Sequence, residues 1–283
     1  MRSDERKVIA LSSSCSAAPK LRKTMNVRNT LRLLTSSDEK LQANWGLWIF
    51  QASIIAAIAG TIKYFFPSSI PFDFFQLWHT TGSVSDWMFA SWPILTWAVV
   101  VTLIASAVTR NSRLENIHAE TFLERGLWVS LRAGVMEEIV FRWLLLMTGI
   151  VGAKVGDWLL GGEFFNHGLV WVIYTYILAP VADFTSFGLL HSVLGAGAVW
   201  SVAAGVIIAN RKFRDGHKYL GWFGFLNSWF IGLYFFYLTF TFGLVAAIVV
   251  HFTYDALIFT IRYLDRVIER ARHVDNGKAG EDE

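Results

Sequence analysis

The sequence predicts an all-α fold: a polytopic helical membrane bundle of about seven transmembrane helices, or eight. Three observations predict it. Of the 283 residues, 54% are hydrophobic, and a mean hydropathy of +0.43 is high for a soluble chain of this length. The 13 tryptophans suit the membrane–water interface, where an apolar ring keeps one polar atom wet. Five or more stretches reach the roughly 20 residues needed to cross the hydrocarbon core.

Residues 1–43 are polar, basic and rich in serine, and read as a disordered cytosolic tail. No apolar core of signal-peptide length follows the first charges, and Met25 is an alternative start. Cys15 is the single cysteine, which excludes a disulfide framework and a cysteine-based metal site. The net charge of +3 comes mainly from the basic flanks, so a nucleic-acid surface is not expected.

The membrane domain is expected over residues 44–266, with a charged tail at 267–283. The first span is Asn44–Phe66, closed by Pro67; the second is Trp87–Val108, followed by Arg110 and Arg113. The loop between them carries no Lys or Arg, so the positive-inside rule puts it outside and the N-terminus in the cytoplasm. Residues 114–130 mix charge with apolar positions and read as an interfacial helix leading into a span over Leu131–Gly152. Further apolar stretches follow at 168–182, 184–210, 219–240 and 243–264.

Seven single spans leave a conflict. The basic loop "RKFRDGHK" (211–218) and the basic tail after Arg262 both ask to be cytoplasmic, and seven spans put both outside. A re-entrant or split segment would remove the conflict. The seven-span count starts the three segments bearing Glu137, His191 and His251 from one side, so that these residues can meet, and that layout is expected here.

Most ionisable residues within apolar segments fall into three groups, each costing a few kcal/mol near the bilayer centre. In "VMEEIVFRWLLL" (135–146), Glu138 and Arg142 lie four apart and can pair on one helix face, which leaves Glu137 as a candidate general base. In "FGLLH" (187–191), Phe187 and His191 share a face. In "HFTYD" (251–255), Asp255 lies one turn from His251 and can accept its second N–H, fixing the tautomer. Each group alone is also what packing between spans would produce. Together, two Glu, two His and an Asp suit activation of a water molecule. They also suit zinc held by Glu137, His191 and His251. There is no H-E-x-x-H and no G-x-S-x-G in strand context.

These three groups match E-E-x-x-x-R, F-x-x-x-H and H-x-x-x-[N/D], in order and at roughly the spacing of one known family. The chain resembles the type II CAAX prenyl endopeptidases, the CPBP or Abi family of intramembrane proteases, over about residues 130–260. The resemblance implies a peptide bond hydrolysed near the membrane surface. It makes Glu137 the base acting with His191, gives His251 and Asp255 an oxyanion-side or positioning role, and leaves Glu138 and Arg142 in support. Asp255 stands where several members carry Asn, so here it orients His251 rather than donating to an oxyanion. The expected substrate is a peptide or lipidated protein in the bilayer, no metal is obligatory, and Zn2+ is the alternative. The expected location is the plasma membrane of a prokaryote. Two other classes use the same residues: a non-proteolytic immunity or scaffold protein of that family, and a proton-coupled transporter. No matched half-repeats support the transporter.

Overall fold

The computed structural model describes residues 45–109, 119–162, 164 and 167–279. The tail with Cys15 and Met25, and Arg110 and Arg113, lie outside them. Every element among the described residues is helical. Four helices are long and apolar enough to cross a membrane, Val84–Ala107, Leu123–Gly162, Lys218–Phe242 and Leu244–Ala271. Two shorter apolar helices cover Ile49–Phe65 and Leu169–Thr185.

Helix α1 (Trp45–Phe65) stops before Pro67, where the missing N–H cannot continue the ladder. Lys63 Nζ donates to the carbonyls of Pro67 and Ile70 just past that end. Helix α2 (Val84–Thr109) begins with a reciprocal cap. The Ser83 N–H donates to Asp86 Oδ2 at 2.7 Å, and the Asp86 N–H donates back to Ser83 Oγ at 3.3 Å.

Helix α3 (Ala119–Glu137) runs without a break through a π-helical segment, Glu138–Leu144, into α4 (Leu145–Asp157). The interfacial helix and the following span expected from the sequence are therefore one rod. From Leu123 to Asp157, before the bend at Leu160 and Gly161, the rod is about 50 Å long at ~1.5 Å per residue, well beyond the ~30 Å hydrocarbon thickness. The i+5 bond from Leu145 N–H to Val140 carbonyl widens the helix at "EIVFRWL", the stretch that bears the charges. Such π segments recur at functional sites.

Next come α5 (Leu169–Ile173), a π turn, and α6 (Ala179–Thr185). Phe187 then takes φ +56 and Gly188 φ +75. Phe187 is the one described non-glycine residue in the left-handed region, which is costly for a bulky side chain. The chain turns there, forms the short α7 (His191–Leu194), and enters α8 (Trp200–Gly216). Helices α9 (Gly221–Phe242) and α10 (Leu244–Ala279) complete the bundle.

Close approaches give the directions. A Cβ on Gly126 would lie 2.7 Å from the Phe259 ring, and one on Gly134 3.0 Å from Ile248 O and Phe252 N, so α3 and α10 run antiparallel. Gly149 faces Gly205, and Phe141 meets Phe213 edge-on at 5.4 Å, so α4 and α8 also run antiparallel. Thr81 N–H donates to Phe242 O, and Lys154 Nζ to Ser68 O. The 66–83 connection, the end of α4 and the α9–α10 junction therefore share one end of the bundle. The opposite end collects the start of α3, the basic 211–218 segment and the late arginines of α10.

Two expectations change. Residues 184–210 are not one span: the turn at Phe187–Gly188 precedes a separate α8. The basic loop and the basic tail consequently fall at the same end, as a split segment would require. The motif-bearing segments do not start from one side either. Glu137 and His251 meet because α3 and α10 approach from opposite directions.

Candidate active site

The widened turn of the α3–α4 rod places Glu138 and Arg142 on the inner face, both fully buried. Arg142 Nε lies 3.2 Å from Glu138 Oε2, the i, i+4 pair expected from the sequence. It is a charge contact rather than an aligned hydrogen bond. Arg142 Nη2 reaches the Gly232 carbonyl at 3.4 Å. The rings of Phe213, Phe235 and Phe236 surround the guanidinium, with centroids 4.2, 5.2 and 5.4 Å from Cζ. Aromatic faces of this kind attract a desolvated cation.

The other carboxylate oxygen, Glu138 Oε1, accepts from His251 Nδ1 at 2.7 Å. The His251 ring stacks on Phe235 at 4.5 Å and 20°. One-turn spacing predicts that Asp255 holds this imidazole. In the structure Glu138 holds it, from 113 residues away, and Asp255 Oδ2 stands 3.7 Å from His251 Nε2, too far for a direct hydrogen bond. The order of contacts is thus Arg142, Glu138, His251, Asp255.

Glu137, about 100° round the helix, faces away from that chain. Its Oε2 is buried and has no hydrogen-bond partner among the described residues, while its side chain as a whole keeps 31% exposure. Opposite, 3.9 Å away, is Nε2 of His217. His217 Nδ1 donates to the Phe213 carbonyl at 2.8 Å, which leaves a lone pair on Nε2 in the neutral ring. Two acceptors so placed repel unless a proton or a water lies between them. At 3.9 Å a water donating one hydrogen to each fits. The ring of Tyr219 lies 6.1 Å from that of His217, within electrostatic reach of Glu137 and Asp255.

His191 does not join this cluster. Its side chain is 70% exposed, and Nδ1 pairs with Asp183 Oδ2 at 2.7 Å. Phe187, at the turn, is 83% exposed. The histidine beside Glu137 is His217, in the basic segment 211–218. A signal for it was present: Phe213 and His217 also spell F-x-x-x-H, at the end of an apolar run.

The set Glu137, His191 and His251 expected for zinc is not brought together among the described residues: His191 turns to Asp183, while His251 meets Glu138 through Nδ1 and faces Asp255 with Nε2. No group of three His, Cys, Asp or Glu among the described residues is arranged to share an ion.

The cluster thus sets a buried carboxylate between a guanidinium and an imidazole, with a second carboxylate facing another imidazole. No protein family, no curated protein and no solved structure matches the chain.

Proposed function

We propose that the chain is an intramembrane endopeptidase in which Glu137 and His217 activate water. The observation that carries this reading is the buried, unpartnered Glu137 Oε2 facing His217 Nε2 at 3.9 Å. A water held by both has its hydrogens engaged and an oxygen lone pair free to attack a carbonyl. Glu137 takes the proton as the bond forms and returns it to the leaving amine. Glu138 holds His251 through Nδ1, so that the doubly protonated imidazole can donate from Nε2 to the developing oxyanion, and Arg142 offsets the charge of Glu138. Asp255 adds a carboxylate on the Nε2 side of His251, 3.7 Å away. No step requires a metal.

The resemblance of "EEIVFR" and "HFTYD" to the CAAX-processing motifs supports peptide-bond hydrolysis, on a peptide or lipidated protein that reaches the site from the bilayer. By the positive-inside rule the end bearing 211–218 and the late arginines of α10 is cytoplasmic. On that reading the N-terminus is cytoplasmic, and His217, at the end of α8, lies at the same end of the bundle. With the N-terminus and the late arginines of α10 on one side the number of crossings is even: α1, α8 and the four long helices cross, and the α5–α6 segment turns back at Phe187–Gly188. The membrane of residence is read as a prokaryotic plasma membrane.

The test compares the membrane proteomes of cells carrying wild-type and Glu137→Gln protein, looking for new C-termini. Termini present with wild type and absent with Glu137→Gln support the proposal. Identical termini, with both proteins folded and equally abundant, sink it. His191 standing outside the cluster favours a second reading, a non-proteolytic scaffold that keeps the fold without the full set. Under that reading Glu137→Gln leaves the cellular phenotype intact.

A further inference from the structure

Asn210 is fully buried in α8, one residue type that a membrane helix would not bury without need. Its Nδ2 donates to the Trp229 carbonyl at 3.0 Å. That bond fixes the orientation of the amide, since the flipped form would bring two carbonyl oxygens together. Its Oδ1 therefore points elsewhere and has no partner among the described residues. It rests against Gly232, where a Cβ would come within 2.0 Å of it. On the peptide of the same glycine, the carbonyl accepts from Arg142 Nη2. Arg142 Nη1, also buried, has no partner either.

An unpartnered acceptor, Asn210 Oδ1, thus rests against Gly232, and the guanidinium that reaches the carbonyl of the same residue keeps one unpartnered donor, Nη1, among the described residues. Each left unmade costs the desolvation of that group. A single water donating to Asn210 Oδ1 and accepting from Arg142 Nη1 would resolve both. Asn210, Phe213 and His217 also fall on one face of α8, at i, i+3 and i+7. One helix face therefore supports both halves of the site, Arg142 from Asn210 and Phe213, and Glu137 from His217.

We propose that Asn210 is a positioning residue: through a buried water it fixes the Arg142 guanidinium, and with it the Glu138 carboxylate that holds His251. This does not depend on the hydrolytic reading, because it concerns the orientation and proton of His251. Removing the acceptor at 210 lets the guanidinium turn, weakens its hold on Glu138 and alters the His251 imidazole. A merely space-filling role for Asn210 would leave that imidazole unchanged.

The experiment uses the full chain in lipid nanodiscs with 15N-labelled histidine, the His251 ring signals being assigned by their loss in His251→Gln. Asn210→Ala and Asn210→Ser differ only in a hydroxyl that can accept from the water. Asn210→Ala is expected to shift the His251 ring resonances and their pH titration, and Asn210→Ser to restore them towards wild type. Should Asn210→Ala fail to fold, Asn210→Val against Asn210→Thr makes the same comparison. Signals unchanged in the apolar variant, or shifted alike in both members of a pair, overturn the proposal. A shift in a protein whose wild type cleaves nothing sinks the endopeptidase and leaves this proposal standing.

Discussion

His251 Nδ1 lies 2.7 Å from Glu138 Oε1, and the same carboxylate meets Arg142 through its other oxygen at 3.2 Å. One buried anion therefore ties α10 to the α3–α4 rod and neutralises the guanidinium beside it. Its two oxygens do different work, one holding a charge and the other fixing an imidazole. Glu137, its neighbour in sequence, shares neither task and faces His217 instead.

Removing one member of this chain leaves a buried charge uncompensated. Arg142→Met should cost about 3–5 kcal/mol of stability, and Glu138→Leu a similar amount. The double variant should lose less than the sum of the two, because no lone ion remains. Unfolding midpoints in detergent measure this, and an Arg142→Met protein as stable as wild type would refute the assignment.

Glycine lets α3 approach α10 to backbone contact at Gly134, where a Cβ would lie 3.0 Å from Ile248 O and Phe252 N. Gly134→Val should therefore cost about 1–3 kcal/mol by forcing the helices apart. Gly152 is the control, since a Cβ there meets nothing within 4 Å. Gly152→Ala should be neutral or stabilising by up to about 1 kcal/mol, the helix-propensity difference. Equal losses at the two positions would contradict the packing described.

Chain direction can be read by labelling. In a Cys15→Ser background, Ser83→Cys at the start of α2 and Lys212→Cys in α8 lie at opposite ends of the bundle. A membrane-impermeant maleimide added to sealed vesicles should reach one and not the other, with the pattern reversed in inverted vesicles. Labelling of both from one side would require a different course for residues 184–210.

Much of this was legible in the sequence. Composition gave the helical membrane class, and the i, i+4 spacing gave the Glu138–Arg142 pair, because both depend on local pattern. The identity of the second histidine was not legible. F-x-x-x-H occurs at Phe187–His191 and again at Phe213–His217, and only the antiparallel packing of α4 on α8 brings the later one to Glu137. The Glu138–His251 bond was hidden for the same reason, since one-turn spacing favoured Asp255 and no local rule sees across 113 residues. Hydropathy likewise missed the reversal at Phe187, because a left-handed turn made of Phe and Gly is as apolar as a helix.

The two histidines separate the proposed mechanism from the sequence-level one. Glu137 is partly exposed, and its Oε2 makes no hydrogen bond among the described residues, so Glu137→Gln should change stability by no more than about 0.5 kcal/mol. It should nonetheless remove the general base and lower hydrolysis by about 10²–10⁴-fold. His217→Ala should produce a loss of the same order, since it takes away the other side of the water. His191→Ala should leave hydrolysis within a few fold of wild type, because the imidazole faces Asp183 at the surface of the bundle. The measurement is the rate of appearance of new C-termini in membranes carrying equal amounts of each folded protein. Full activity in His217→Ala with none in His191→Ala would return the role to His191, and would require the 183–199 segment to close over Glu137 when substrate binds.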